Sequence, residues 1–242
     1  MSALTETTTT TTKSARQTSI MSTSLAGQAS SATASSSQPQ VGSSATAPME
    51  SQPPTSDLSE LLLVCKVVLM QGVDLLDQHL TEDAQLVRDS KFLPGSTIGK
   101  HLRHARDHFV LLLNSVTGNK DASPQAPYQF SYDVRLRNTP METSRAAARE
   151  ALLETVQQLE AVVPGVGADA AMQLDAITPY MQSFKTSFGR ELWFGALHAV
   201  HHWSMVRVIA GEMGVQMPSD FGFAPSTLVY QSACRVCSAG CY

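Results

Sequence analysis

The amino-acid sequence predicts an all-α protein built on a four-helix bundle. Three observations support this prediction: four segments carry apolar residues at helical spacing, helix-starting and helix-stopping residues flank them, and a loop-rich crossover joins the second segment to the third. No apolar run reaches the roughly 18–20 residues that a membrane span requires. We therefore expect a soluble domain that does not contact a membrane.

A long polar tail precedes the helical segments. Residues 1–56 are rich in Ser, Thr, Ala, Gln and Pro and contain no aromatic residue, so we expect them to be disordered. The tail lacks the apolar core of a secretory signal, and its two basic residues, Lys13 and Arg16, favour the cytoplasm over mitochondrial import. The formal net charge of −4 provides no basic surface, so we expect no nucleic-acid partner.

The first two helices follow the tail. The apolar pattern predicts a helix over Leu58–Leu80, with Ser56 or Asp57 as its cap. Pro94-Gly95 then interrupts the chain, and the pattern resumes as a second helix from Ser96 to about Val116.

The third helix has a clear start signal. Thr139–Glu142 combines an N-cap threonine, a proline at the first helical position and a glutamate that closes a capping box. We expect this helix to run through Val162 and to end before Pro164-Gly165. The pattern then weakens, and Met172–Ile177 and Met181–Phe184 are compatible with a short β-hairpin before the last helix.

The last helix is predicted over Ser187–Gly214, with Ser187 as N-cap and Gly214 as the residue that ends it. His198 and His202 lie four positions apart, about 40° around the helix, so both imidazoles can point at one metal ion. His201 lies three positions after His198 and could replace either of them.

A third metal ligand can come from the second helix. His101, His104 and His108 lie within about 60° of one another on that helix, at the spacing of a bundle seam. Three protein ligands and an open fourth position are the pattern of a catalytic metal, and nitrogen ligands suit Zn²⁺ as well as Ni²⁺, Fe²⁺ or Cu²⁺. The competing interpretation is that these histidines are surface residues or hydrogen-bonded core residues.

Asp107 lies three residues after His104. It could orient a ligand imidazole or accept a proton during catalysis.

The cysteines indicate a reducing compartment. Cys65 lies in the apolar pattern of the first helix, where we expect a core thiol. Cys234, Cys237 and Cys241 crowd into a C-terminal extension, residues 229–242, and lack a fourth local ligand for a metal. This spacing is unlike a secreted disulfide scaffold, which again favours the cytoplasm.

Two motifs carry a family resemblance. His104-x-x-Asp107 on the second helix and His198-x-x-x-His202 on the last resemble the metal motifs of the DinB/YfiT-like four-helix-bundle family. The resemblance implies a domain over residues 57–228 that binds a divalent metal, with zinc favoured over nickel or iron, through His104, His198 and His202. Further stretches resemble an uncharacterised branch of the family: Ser96–His101, Tyr132–Arg135, Gly189–Leu192 and Phe221–Thr227. Many family members follow the last histidine with Arg-Gly-Gln, where this chain has Trp203-Ser204-Met205.

The resemblance also implies an activity. Characterised members include thiol-dependent S-transferases and isomerases, so we expect a metal-dependent enzyme that activates a low-molecular-weight thiol for transfer to a small electrophile. The alternatives are a metal-dependent hydrolase and a non-catalytic metal-binding module of a stress response. Arg135 and Arg190 are candidates to hold an anionic substrate, and a homodimer is compatible with the family.

Overall fold

The computed structural model describes residues 57–118, 126–228 and 230. The predicted disordered tail over residues 1–56 lies outside the described residues, as does the Cys-containing extension apart from residue 230. The described chain is mostly helical, and it also contains a small three-stranded sheet.

Five α-helices and three strands make up the regular structure of these residues. The helices are α1 (Ser59–Asp74), which continues as a π-helical turn (Leu75–His79), α2 (Ala84–Val87), α3 (Ile98–Thr117), α4 (Arg145–Val162) and α5 (Phe188–Glu212). Short 3₁₀ turns cover Pro140–Glu142 and Val163–Gly165. The strands are β1 (Tyr128–Phe130), β2 (Ala171–Ile177) and β3 (Met181–Ser187).

The four long helices enclose the apolar core. Helix α3 packs against α4 and α5, and α1 packs against the same two helices. Trp203 is fully buried in this core, and its indole N–H donates to the carbonyl of Val68 over 2.7 Å, which satisfies its polar atom and ties α5 to α1. Among the described residues, none of the helices has both the length and the apolar character needed to cross a membrane.

The helix ends largely follow the local sequence signals. Ser187 Oγ accepts the backbone N–H of Arg190 over 3.4 Å at the start of α5, and Gly214 adopts φ +75° just beyond its end. Helix α3 is capped by Thr97, whose Oγ1 accepts the Lys100 N–H over 3.2 Å. At α1, the Asp57 carboxylate accepts the Ser59 N–H over 2.9 Å, while Ser56 lies outside the described residues.

The predicted capping box at Thr139–Glu142 forms, with Glu142 Oε1 accepting the Thr139 N–H over 3.3 Å, but α4 begins about one turn later than predicted. Pro140–Glu142 forms a separate 3₁₀ turn, and α4 begins at Arg145 with Ser144 as its cap. A tertiary contact explains the difference: α3 approaches this turn so closely at Gly99 that an added Cβ would clash with the carbonyl of Glu142. The turn is therefore seated against α3 rather than continuing into α4.

The short β-hairpin predicted before the last helix is present, and it belongs to a three-stranded sheet in a chain that is otherwise mostly helical. Strands β2 and β3 pair antiparallel from Ala171–Ser187 to Ile177–Met181, close to the predicted strands. Strand β1 pairs parallel to β2, with Tyr128 opposite Met172. Its three residues lie in the stretch predicted as a loop, because such a short strand shows no measurable alternation.

Candidate metal centre

Three histidines from two adjacent helices converge. His104 on α3 and His198 and His202 on α5 each offer one ring nitrogen, and these nitrogens all lie within 4.8 Å of one another. Nε2 of His202 and Nε2 of His198 are 3.0 Å apart. The prediction that the second and last helices are neighbours and bring these three side chains together is confirmed.

The three imidazoles are neutral near pH 7. Burial, followed by the charges of His108, Arg135, His198 and Arg103, lowers the pKa of His104 to about 3. Burial and neighbouring histidines likewise lower the pKa of His198 to about 3 and that of His202 to about 2. Neutral imidazoles keep a free lone pair, and three such nitrogens at this spacing suit a divalent metal ion such as zinc.

The other histidines of these helices have different positions. Nδ1 of His101 lies 2.7 Å from Nδ1 of His202, so His101 contacts a member of the group without belonging to it. His108 donates its Nδ1–H to the carbonyl of His104 over 3.1 Å, and its ring centroid is 3.9 Å from that of His198. We call His101, His104, His108, His198 and His202 the histidine cluster. His201 is exposed and lies outside the group of three.

Comparison with known proteins agrees with this geometry. A family model described as the DinB superfamily matches residues 73–206, which is more than half of the chain and includes all three converging histidines. The chain belongs to the DinB superfamily. This DinB domain is also similar to FK506-binding protein 5 of Rhizopus delemar, with 32% identity over 164 residues. That match covers 66% of this chain but only 35% of the fungal protein. No solved structure matched at a comparable level of significance.

A half-buried tyrosine and a buried glutamate form a pair beside the histidine cluster of the DinB domain. The Tyr132 ring stacks on His108 with centroids 4.4 Å apart, and its hydroxyl donates to Glu191 Oε2 over 2.9 Å. Thr186 Oγ1 donates to the other carboxylate oxygen of Glu191 over 2.7 Å. Sequence reasoning missed this pair, since Glu191 looked like an ordinary acid in the first turn of a helix. Its signal was that Tyr132 and Glu191 both lie in stretches that resemble the family branch.

Asp107 has an ion-pair partner on its own helix. Its Oδ2 accepts a hydrogen bond from Arg103 Nη1 over 3.1 Å, and Arg103 Nε in turn donates to Glu142 Oε1 over 3.3 Å. Burial raises the pKa of Asp107, and the bond from Arg103 opposes that shift. We call Arg103, Asp107 and Glu142 the ion-pair cluster. The suggestion that Asp107 orients a ligand imidazole stays a prediction.

The two arginines that were candidates for substrate binding are both exposed. Arg135 donates from Nε to the carbonyl of Tyr132 over 3.4 Å, and its charge adds to the effect of burial in lowering the pKa of His108. The Arg190 guanidinium lies over the rings of Trp193 and Phe194, 5.5 and 5.4 Å from their centroids. Phe194 contacts His198, with ring centroids 5.5 Å apart. A role for either arginine in binding substrate stays a prediction.

Proposed function

We propose that this protein is a DinB-like metal-dependent enzyme that activates a thiol for transfer to an electrophile. The convergence of three neutral imidazole nitrogens within 4.8 Å carries this proposal. In the proposed arrangement, residues 57–228 are one domain, and its four long helices form the four-helix bundle of the family.

His104, His198 and His202 would hold the metal. Zinc is the ion we favour, because three nitrogen donors match its preferred ligands, and nickel or iron are the alternatives. Three protein ligands leave room for a further ligand, which is the arrangement of catalytic sites. When bound, such an ion supplies Lewis acidity, which favours the deprotonated form of a nearby thiol.

The substrate in this proposal is small. The thiol sulfur forms a bond to the electrophilic carbon, the leaving group departs with its bonding electron pair, and the thiol proton passes to solvent. Arg135 and Arg190 are exposed cations beside residues that contact the histidine cluster, so they suit an anionic group on either reactant. A low-molecular-weight thiol in a reducing cytoplasm would meet these requirements, and the net charge of −4 argues against a nucleic-acid substrate.

Two other functions use the same site. A hydrolase would use the ion to activate water, and a non-catalytic module would bind the ion without turnover. The fungal relative does not choose among the three, since its name describes a protein of which the match covers only 35%.

Replacing His104 by Ala tests the proposal. The variant removes one of three ligands, so zinc content after gentle purification should fall from near one ion per chain to a small fraction, as measured by elemental analysis. Helicity should persist, because the helices are held by the apolar core. His201→Ala is the matched control: it removes an exposed imidazole from α5 and should leave the zinc content unchanged.

Activity separates the three functions. Wild-type protein loaded with zinc should accelerate the reaction of a thiol with an alkyl or aryl halide, and His104→Ala should lose that acceleration. Turnover of an ester or amide without thiol would instead favour the hydrolase. Tight zinc binding without any turnover would favour the binding module, and wild-type protein that retains none of the three metals would overturn the proposal.

A further inference from the structure

We propose that His101 is a positioning residue of the metal centre, which accepts a hydrogen bond from His202 and so fixes which nitrogen of His202 faces the ion. This inference rests on the proposed function, because it assigns the partner of one proposed ligand.

The contact joins two neighbouring helices. Nδ1 of His101 on α3 and Nδ1 of His202 on α5 are 2.7 Å apart. Two ring nitrogens at this distance share one proton, so one ring donates and the other accepts.

The position of the other nitrogen of His202 decides the direction. Its Nε2 lies 3.0 Å from Nε2 of His198, which is another of the three proposed ligands, so Nε2 is the nitrogen that we assign to the ion. A metal ligand needs an unprotonated nitrogen, so the proton of neutral His202 resides on Nδ1. His202 is therefore the donor, and His101 is the acceptor.

Among the described residues, the contact with His202 is the hydrogen bond that holds the ring of His101. Its Nε2 is buried and has no hydrogen-bond partner among the described residues. The ring is therefore anchored through its contact with His202. His101 also lies three residues before His104, so one face of α3 supplies both a ligand and the support for a second ligand.

A neutral acceptor has a chemical consequence. Metal-bound histidines usually donate their second N–H to a carboxylate, a carbonyl or water, and removing that partner weakens metal binding. An imidazole in this place adds no negative charge. Because the three ligands and this supporting ring are all neutral, the site would keep the full formal charge of the ion. That charge favours polarisation of a bound reactant.

Zinc affinity tests the inference. Competition with a chromophoric chelator would give the zinc Kd of wild type, His101→Leu, His101→Asn and His201→Leu. We expect His101→Leu to weaken binding about 10- to 100-fold. His101→Asn should recover most of the affinity, since its Oδ1 takes roughly the place of Nδ1 and accepts the same proton. His201→Leu, which removes an exposed ring from α5, should match wild type.

A second readout does not depend on any variant. Long-range nitrogen-15 spectra of zinc-loaded wild type should show His202 bound through Nε2 and protonated at Nδ1. Equal affinities for wild type and His101→Leu would overturn the inference while leaving the proposed function intact, and so would zinc bound to Nδ1 of His202. If His101→Leu fails to fold, the wild-type spectrum alone decides. Failure of wild type to bind zinc, nickel or iron would overturn both proposals.

Discussion

Helix α3 contributes residues to two polar clusters, which differ in how their polar atoms are satisfied. In the ion-pair cluster, Arg103 bridges Asp107 and Glu142, and the side chains of Arg103 and Glu142 are each only 8% exposed. In the histidine cluster, neutral rings face one another, with Nε2 of His198 and Nε2 of His202 3.0 Å apart. In the ion-pair cluster, opposite charges satisfy one another. In the histidine cluster, several nitrogen lone pairs point towards one place.

This difference separates a structural cluster from a functional one. Buried opposite charges that bond to each other leave little capacity for a ligand, and breaking such a set is costly. Converging lone pairs need a proton or a cation between them, so their contribution depends on what is bound. We therefore expect the ion-pair cluster to control stability and the histidine cluster to control metal binding.

The largest effect should come from Arg103→Met. This variant leaves two buried carboxylates without their shared cation, so we expect a loss of about 3–5 kcal/mol in the free energy of unfolding. Urea unfolding followed by circular dichroism measures it. The control is Lys66→Met, which removes the half-buried partner of the exposed Glu160 and should cost about 0–1 kcal/mol. Equal losses in the two variants would show that the ion-pair cluster is not structural.

Zinc should produce the next largest effect. At a free concentration of about 100 times its Kd, it should raise the free energy of unfolding of wild type by about 2.7 kcal/mol, because only the folded state presents all three ligands. His104→Ala should show no such gain, and Arg103→Met should show the full gain on a lower baseline. A gain that disappears in Arg103→Met would mean that the two clusters are not independent.

Acid should have a smaller effect when it is counted for a single histidine of the metal-free protein. His202 has a folded pKa of about 2, while an unfolded histidine has its ordinary pKa of about 6.5. Below pH 6.5 the unfolded chain therefore takes up a proton that the folded chain does not, so stability falls as pH falls towards the folded pKa. At pH 5.5 this one group should cost about 1.4 kcal/mol.

Urea midpoints at pH 7.5 and 5.5 in the presence of a chelator measure this loss, and His202→Leu should reduce it. The raised pKa of Asp107 does not add to it, since a folded carboxyl that is more easily protonated stabilises the fold in acid. A stability that stays constant between these pH values would show that the histidine cluster takes up protons without penalty.

Local sequence signals predicted those features of the fold and the site that depend only on residues close together in the sequence. Helix α5 combines an N-cap at Ser187 with a left-handed Gly214, and both features act within one turn. His198 and His202 face the same way because helical geometry alone places residues four apart on one side. These parts of the fold and the site were therefore readable from the sequence.

Tertiary contacts decided the rest. Three histidines of α3 share a face, so periodicity alone could not select one of them. The packing of α3 on α5 makes His104 the converging ring and leaves His101 beside His202. The prediction of His104 came from the family motif. Glu142 closes the predicted capping box, but its additional ion pair with Arg103 from another element was not predicted. Strand β1 was missed because its partner in β2 lies more than 40 positions later.

Because the proposed ligands are divided between α3 and α5, release of the ion would also report on the separation of these two helices. His104 and His198 are 94 positions apart in the chain, so an ion held by both would close a long loop. His198 and His202 alone could hold an ion loosely on a single helix, even where α3 has come away. The rate at which the ion escapes to a chelator would therefore follow the transient parting of α3 from α5, and a metal-exchange experiment would time that opening without any label on the protein.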